Sequence, residues 1–397
     1  MSKLPSTERL LLGPGPSPMA PRVMQALGAP MLSHLDPEFL PIMDDVRSRL
    51  QSLYRADQKA FTIAVSGTGT SGMEAAVANA VSEGTRAVVV VTGYFGDRLA
   101  QMCSRYGAKV RRVEVEWGRA CDPQRLRDEL AAESADIVAF VHAETSTGVK
   151  NPVQELATVA REQGAMTIVD MVTSLGGHEV ALEEWGIDIA YSCTQKCIGA
   201  PSGLSPIAVS GAARTRIMVP GRKNSSRSFY FDFNLLEDYW INRKYHHTMS
   251  ASLIYALREA LLMIDEEGLE ARWARHKWNH LALAAGLEAI GLGLLPPESE
   301  RLWTLNAVQI PEGINEAAVR QMLLQTFNIE IGAGLGPLAG KVWRVGLMGA
   351  GSKPYSIIVL LGALESALLA QGYQVSTAGA GTAAATAVLA SIPNTTT

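Results

Sequence analysis

Ile187-Asp188-Ile189-Ala190-Tyr191-Ser192-Cys193-Thr194-Gln195-Lys196 carries an apolar, strand-like run into a polar turn that ends on a lysine, and small residues follow. Upstream, Ala165-Met166-Thr167-Ile168-Val169-Asp170 is a second such run that closes on an acid. Further back, Ser66-Gly67-Thr68-Gly69-Thr70-Ser71-Gly72 lies between an apolar run and a helical stretch. These belong to a longer pattern. Between residues 60 and 210, strands are predicted at 61–65, 87–92, 109–115, 137–141, 166–170 and 207–209, with helices near 73–82, 97–106, 123–133 and 153–163 between them. Continuous apolar strands are buried on both faces, so helices must cover both sides of a mainly parallel sheet. The expectation is an α/β fold with functional residues at the carboxyl ends of its strands, where Gly72, Thr92, Ala143 and Asp170 fall.

A chain of 397 residues exceeds one average core of roughly 150 residues, which predicts a large and a small domain. Residues 249–292 are helix-rich, and Leu253, Leu257, Leu261 and Met263 form a core stripe at near-helical spacing. After Pro296-Pro297 the pattern becomes a smaller α+β unit: a strand at 304–310, a helix near 315–327, a strand at 343–347 and a helix near 354–370. The expected division is an arm at 1–20, a large domain at 21–292, a small domain at 293–373 and a tail at 374–397. From residue 376 that tail is Ala/Thr/Gly-rich and carries no charge, so it is expected to be mobile and outside the fold.

With 47% hydrophobic and 19% charged residues the chain can bury a sizeable interior, and a formal net charge of -4 offers no field for nucleic acid or an anionic membrane. No run reaches the roughly 20 apolar residues of a membrane span. The N-terminus lacks a secretory apolar region and the C-terminus is not a peroxisomal address, so a cytoplasmic location is expected. Cys103, Cys121, Cys193 and Cys197 lack disulfide or zinc spacing and read as small buried thiols, with Cys197 open to oxidation beside the lysine. His276 and His280 are four apart, a spacing that can grip a metal; among Trp273, Arg275, Lys277 and Trp278 they read instead as a solvated helix face.

The glycine segment matches Gly-x-Gly-x-x-Gly, which raises a dinucleotide-dependent oxidoreductase as a rival. That fingerprint needs an acid at the end of the next strand; here the strand ends in Thr92-Gly93-Tyr94, and Asp97 comes only at a helix start. The same segment can instead hold a phosphate through helix N-terminal amides and the Thr68 and Thr70 hydroxyls. A phosphate cradle, a strand-end acid and a lysine after a later strand are what pyridoxal 5'-phosphate (PLP) enzymes need. Lys196 would hold the cofactor's aldehyde and then move the substrate proton, which requires a depressed pKa. Asp170, otherwise a turn or capping carboxylate, would keep the pyridine nitrogen protonated.

The chain resembles the class V aminotransferases, and within them the alanine–glyoxylate and serine–glyoxylate (serine–pyruvate) enzymes. The resemblance is carried by Leu11-Leu12-Gly13-Pro14-Gly15-Pro16-Ser17, Ser66-Gly67-Thr68-Gly69, His142-Ala143-Glu144-Thr145-Ser146-Thr147-Gly148, Val169-Asp170 with Ser174-Leu175-Gly176-Gly177, Thr194-Gln195-Lys196, Tyr245-His246-His247-Thr248 and Trp343-Arg344-Val345-Gly346-Leu347. It implies the fold type I architecture of PLP-dependent transferases, a mainly parallel large domain with a smaller α+β C-terminal domain.

By resemblance Thr68, Gly69, Thr70 and Gln195 join Asp170 and Lys196 around the cofactor, and Thr145 lies near the ring's phenolic oxygen. Phe95 replaces a stacking tryptophan on one face and Val172 packs on the other. Arg344 would bind the substrate carboxylate, with a salt bridge to Glu330 as the plain alternative. The segment around Gly15 would line the substrate entrance, unless it is only a rigid turn. Tyr245 and Thr248 would reach the phosphate of a second subunit, which implies a homodimer. The implied activity is transfer from alanine or serine to glyoxylate. No second arginine can be placed at the site from the sequence, which argues against a dicarboxylate substrate. A ureidoglycine donor remains open. A same-fold lyase or cysteine desulfurase would need a cysteine near Arg344, and residues 346–352 contain none. A non-catalytic PLP-binding or regulatory protein would be expected to have lost Lys196 or Arg344.

Overall fold

The structure, a computed structural model, describes residues 8–218 and 226–391. The outer ends of the expected arm and tail, residues 1–7 and 392–397, lie outside the described residues.

The apolar runs do form a sheet. Seven strands lie in the spatial order Phe61–Ser66, Leu204–Val209, Ile189–Tyr191, Met166–Asp170, Ile137–Val141, Arg86–Val91 and Lys109–Glu114. Leu204–Val209 runs antiparallel to both its neighbours and the other pairings are parallel. Helices Gly69–Ala80, Tyr94–Arg105, Pro123–Ala132 and Val153–Glu162 occupy the connections. Every residue of Ile137–Val141, Met166–Asp170 and Leu204–Val209 is buried, as strands covered on both faces require. Ser66, Val91, Val141, Asp170 and Tyr191 therefore end on one edge of the sheet.

A second core gathers Leu283, Leu287, Trp343, Val345, Leu360 and Leu364 around the sheet of Leu305–Gln309, Val342–Gly346 and Gly332–Ala333. The N-terminal arm belongs to this core. Leu10–Leu11 pairs in parallel with Ile329–Glu330, and Leu12 is fully buried.

Two expectations fail here. Within the tail, Ala380–Ala390 is a helix, with Ala385 in the second core. Its small residues serve contact: a Cβ on Gly381 would stand 3.0 Å from the Gly286 carbonyl oxygen, and one on Gly286 would meet Leu361 Cδ1 at 2.3 Å. The Gly379 amide also donates to Glu365 Oε1 at 2.7 Å. His276 and His280 are not on a solvated face either. Helix Leu269–Ala289 buries both, with His276 Nε2 accepting from the Gly349 amide at 3.2 Å and His280 Nδ1 2.6 Å from Asn306 Oδ1. This helix reaches into the second core and so has partners around much of its girth. All four cysteines are buried, and burial pushes the Cys197 thiol up to about 12, well away from the reactive thiolate. No helix among the described residues is long and apolar enough to cross a membrane.

Candidate active site

The strand ends and the first turn of helix Gly69–Ala80 enclose a cavity of about 190 Å³. Thr68 caps this helix, its side chain accepting from the Ser71 amide while its own amide donates to Ser71 Oγ at 3.1 Å. That reciprocal cap engages Thr68. Gly69 and Thr70 follow as the first two helical residues, whose amides have no carbonyl a turn earlier to bond. The glycines serve close packing: a Cβ on Gly72 would stand 2.0 Å from Ser205 Oγ, and one on Gly69 2.8 Å from Val172 Cγ2. The dinucleotide reading loses its acid as well, because Asp97 is bound by Arg112 Nη2 at 2.7 Å.

Asp170 closes its strand at the cavity wall, with Oδ1 accepting from the Val172 amide at 2.8 Å and Oδ2 from the Tyr191 hydroxyl at 2.9 Å. Burial pushes this carboxyl up to about 7, while the two hydrogen bonds and the nearby Lys196 charge oppose the rise. A cation set against it would restore the charged form.

Lys196 sits in the turn Thr194–Ile198, tied to the sheet where Thr194 Oγ1 donates to the Leu204 carbonyl at 3.2 Å. Its ammonium bonds the Pro14 carbonyl, Ser17 Oγ donates to its own carbonyl at 2.7 Å, and the Ser17 amide donates to Gln195 O at 2.8 Å. Burial lowers its pKa, with the Arg344 charge adding to the effect. Gly15 lies so close that a Cβ there would stand 2.7 Å from Lys196 Nζ.

Phe95, Thr145, Val172 and Gln195 line the same cavity. Thr145 Oγ1 is 2.5 Å from Thr173 Oγ1, and Gln195 Oε1 is buried with no hydrogen-bond partner among the described residues. Arg344 is beside this group: its Nε donates to the Ala333 carbonyl at 2.7 Å and its Nη1 to the Thr145 carbonyl at 3.5 Å. It forms no ion pair with Glu330 or any other described carboxylate, although burial draws its pKa down to about 10. Tyr245 and Thr248 are exposed and do not line the cavity of their own chain.

Sequence reasoning missed several contributors. Tyr191 reaches Asp170 through the register of neighbouring strands. Glu144 accepts from the Gly96 amide at 3.1 Å and the Phe95 amide at 3.4 Å, so a buried acid caps the helix that carries Phe95. Arg98 also lines the cavity, so a second arginine does reach the site. Its position three residues after Phe95 on one helix was the available signal.

The cavity fits PLP. It offers unpaired helix N-terminal amides, an acid whose charge needs a cation, an unpartnered amide oxygen and a lysine that burial favours as a neutral amine. The comparisons agree with this fit. The family described as Aminotransferase class-V matches residues 11–343, and the chain belongs to this family of PLP-dependent aminotransferases. Among individual relatives, (S)-ureidoglycine–glyoxylate transaminase of Bacillus subtilis is 37% identical over 380 residues, covering 91% of each chain. Its crystal structure superposes with a TM-score of 0.94 over 98% of this chain and all of that one. The alanine–glyoxylate aminotransferase of Nostoc sp. is 47% identical, with a TM-score of 0.89 over 93% of this chain and 97% of that one. The alanine–glyoxylate aminotransferase of Drosophila melanogaster is 37% identical over 366 residues, covering 91% of this chain and 92% of the relative. This architecture is the fold type I expected from the sequence.

Proposed function

We propose that this chain transfers the amino group of a small amino acid, alanine or serine, to glyoxylate, yielding pyruvate or hydroxypyruvate and then glycine. The observation that carries the reading is the grouping of Asp170 and Lys196 in the wall of one cavity, with an ion-pair-free Arg344 beside it, bonded to the carbonyl of the cavity-lining Thr145. When bound there, PLP supplies an aldehyde carbon that takes up the amino group and a ring that draws electrons from the substrate's α-carbon.

The chain's own residues hold and aim the reactants. Gly69 and Thr70 meet the phosphate with amides and a hydroxyl, aided by the charge at the helix N-terminus, and Thr68, whose side chain accepts from the Ser71 amide, still has its own hydroxyl hydrogen to donate. Phe95 and Val172 confine the ring from its two faces, and Thr145 and Gln195 address its polar edge. Asp170 would keep a proton on the ring nitrogen, since this buried carboxyl is poised near neutral pH and a cation opposite it favours the charged form. Lys196 would hold the cofactor covalently and, once free, would move the substrate's α-proton as a neutral amine, a state burial favours. Arg344 grips the substrate carboxylate with paired N–H groups. The segment Pro14–Ser17 lies over the lysine and limits access by water.

Arg98 contacts Thr70, at the phosphate end, so Arg344 remains the arginine for one substrate carboxylate. This favours small monocarboxylate donors. The Drosophila and Nostoc relatives are named for alanine and glyoxylate. The Bacillus subtilis relative favours a second reading with ureidoglycine as donor to the same acceptor. A homodimer is supported by exposed aromatic residues, Phe229 at 73% and Tyr245 at 63% exposure, on a face that would bring Tyr245 and Thr248 to a second copy's cavity. We place the enzyme in the cytoplasm. A panel of alanine, serine, ureidoglycine and aspartate against glyoxylate and pyruvate, followed by the shift between pyridoxal and pyridoxamine absorbance, tests the reading. Preference for aspartate, or no transfer to glyoxylate, would refute it.

A further inference from the structure

We propose that Arg98 is a phosphate ligand of the cofactor site, acting both directly through its charge and through the hydroxyl of Thr70. The proposal rests on the assignment of this cavity to PLP.

Three observations converge on it. First, helix Tyr94–Arg105 presents Phe95 and Arg98, three residues apart, to the same cavity. The helix start is fixed from behind by Glu144 and by Ser146, whose Oγ accepts from the Tyr94 amide at 2.9 Å. Arg98 is therefore carried on a braced element. Its guanidinium carbon lies 5.0 Å from the Phe95 ring centroid and 5.3 Å from that of Tyr94, which restrains the side chain.

Second, Arg98 Nη1 donates to Thr70 Oγ1 at 3.1 Å. A hydroxyl that accepts from a guanidinium keeps its hydrogen free and is biased to donate it. Thr70 follows Gly69 in the first helical turn, so the hydroxyl is aimed where an anion would sit against the amides. Third, Arg98 makes no ion pair with any described carboxylate; its neighbour Asp97 is taken by Arg112. Lys196, the other basic side chain lining the cavity, bonds the Pro14 carbonyl and would be used in attaching the cofactor. A phosphate dianion would thus find in Arg98 an unneutralised charge at the Thr70 end of the cavity.

The test uses the full-length protein, stripped of cofactor and titrated with PLP and with pyridoxal, which lacks the phosphate. Borohydride reduction of the wild-type holoenzyme first locates the attachment site. Arg98→Gln is expected to raise the Kd for PLP by about 10- to 100-fold, the range of a charge-assisted contact. It should change the Kd for pyridoxal by less than about threefold, and inorganic phosphate should compete with PLP less well in the variant. Arg98→Lys, which keeps charge and stem but not the fork, should fall between, and it separates the same outcomes should the glutamine variant not fold. Equal losses for PLP and pyridoxal would assign Arg98 to support of Phe95 and overturn the proposal, as would unchanged PLP affinity. Loss of activity with aspartate alone, at normal PLP affinity, would make it a substrate-side arginine and overturn it too. A reduced label on a lysine other than Lys196 would overturn the cavity assignment and this proposal with it.

Discussion

Replacing Asp170 with asparagine keeps the shape of the site and removes one charge. In the cofactor-free chain, burial raises this carboxyl from the ordinary 3.8 to about 7. At about 1.4 kcal/mol per unit, roughly 4 kcal/mol opposes the charged form. That cost cancels the preference a free carboxyl has for the charged form at neutral pH and leaves Asp170 poised between its two states, so a protonated ring nitrogen opposite it decides for the ion pair. Asparagine can still accept from the Val172 amide through its oxygen and can donate from its NH2 to the Tyr191 hydroxyl oxygen, so folding should survive, but it cannot stabilise the ring's positive charge. If most of that stabilisation is felt as electrons flow into the ring, the half-reaction should slow by about 100- to 1,000-fold. Single-turnover mixing of the PLP-loaded variant with alanine, followed by the fall in pyridoxal absorbance, measures it directly. A rate within threefold of wild type, with unchanged circular dichroism, would refute the electron-sink role. Linkage gives a second readout. The raised value means that the cofactor-free protein has this contribution in full below about pH 4 and loses it as pH rises through about 7. Urea midpoints of the cofactor-free wild type should fall over that window, and those of Asp170→Asn should fall less.

Lys196→Ala should abolish transamination and the borohydride-stable label; a label that persists on another lysine, seen by mass spectrometry, would contradict the assignment. Arg344→Lys should leave PLP binding intact and lower kcat/KM for alanine, serine and glyoxylate together by about 2–4 kcal/mol, because lysine keeps the charge without the paired N–H geometry. Unchanged efficiency with alanine would exclude the carboxylate role. Gly381→Val should force helix Ala380–Ala390 away from the Gly286 carbonyl and lower stability by about 1–3 kcal/mol, read as a lower urea midpoint; an unchanged midpoint would return that helix to the status of a dispensable tail.

The strands and helices were legible because each is a run of residues with one burial pattern, and the lysine and acid were legible because each terminates such a run. What escaped depended on which runs become neighbours. Tyr191 meets Asp170 by strand register, and Arg98 meets Thr70 where two successive helices, joined through a strand, bring their first turns together. The direction of Leu204–Val209 depended on a turn whose small residues fit either sense. The last helix was misread because alanine and glycine without charge look the same in a loose tail and in a close helix contact. The two histidines were misread because aromatic and basic neighbours suggested solvent, whereas a helix serving more than one set of partners has little face left to wet.

The arm Leu10–Ser17 has a consequence for how the chain acquires its function. Ser17 and Pro14 bond to Lys196, 179 and 182 residues later, and Arg9 bonds to Asn328, 319 residues later. The first described residues to leave the ribosome therefore wait for residues 179 to 319 positions later before they can settle. Contacts of such sequence separation form late, since the loops they close are costly before other structure shortens them. The large sheet can assemble while Lys196 is still uncovered, and the pocket is finished when the arm docks onto Lys196 and the Ile329–Glu330 strand. A chain stalled before Ile329 would carry the sheet, the acid, the lysine and the arm, but not the strand that anchors the arm over them.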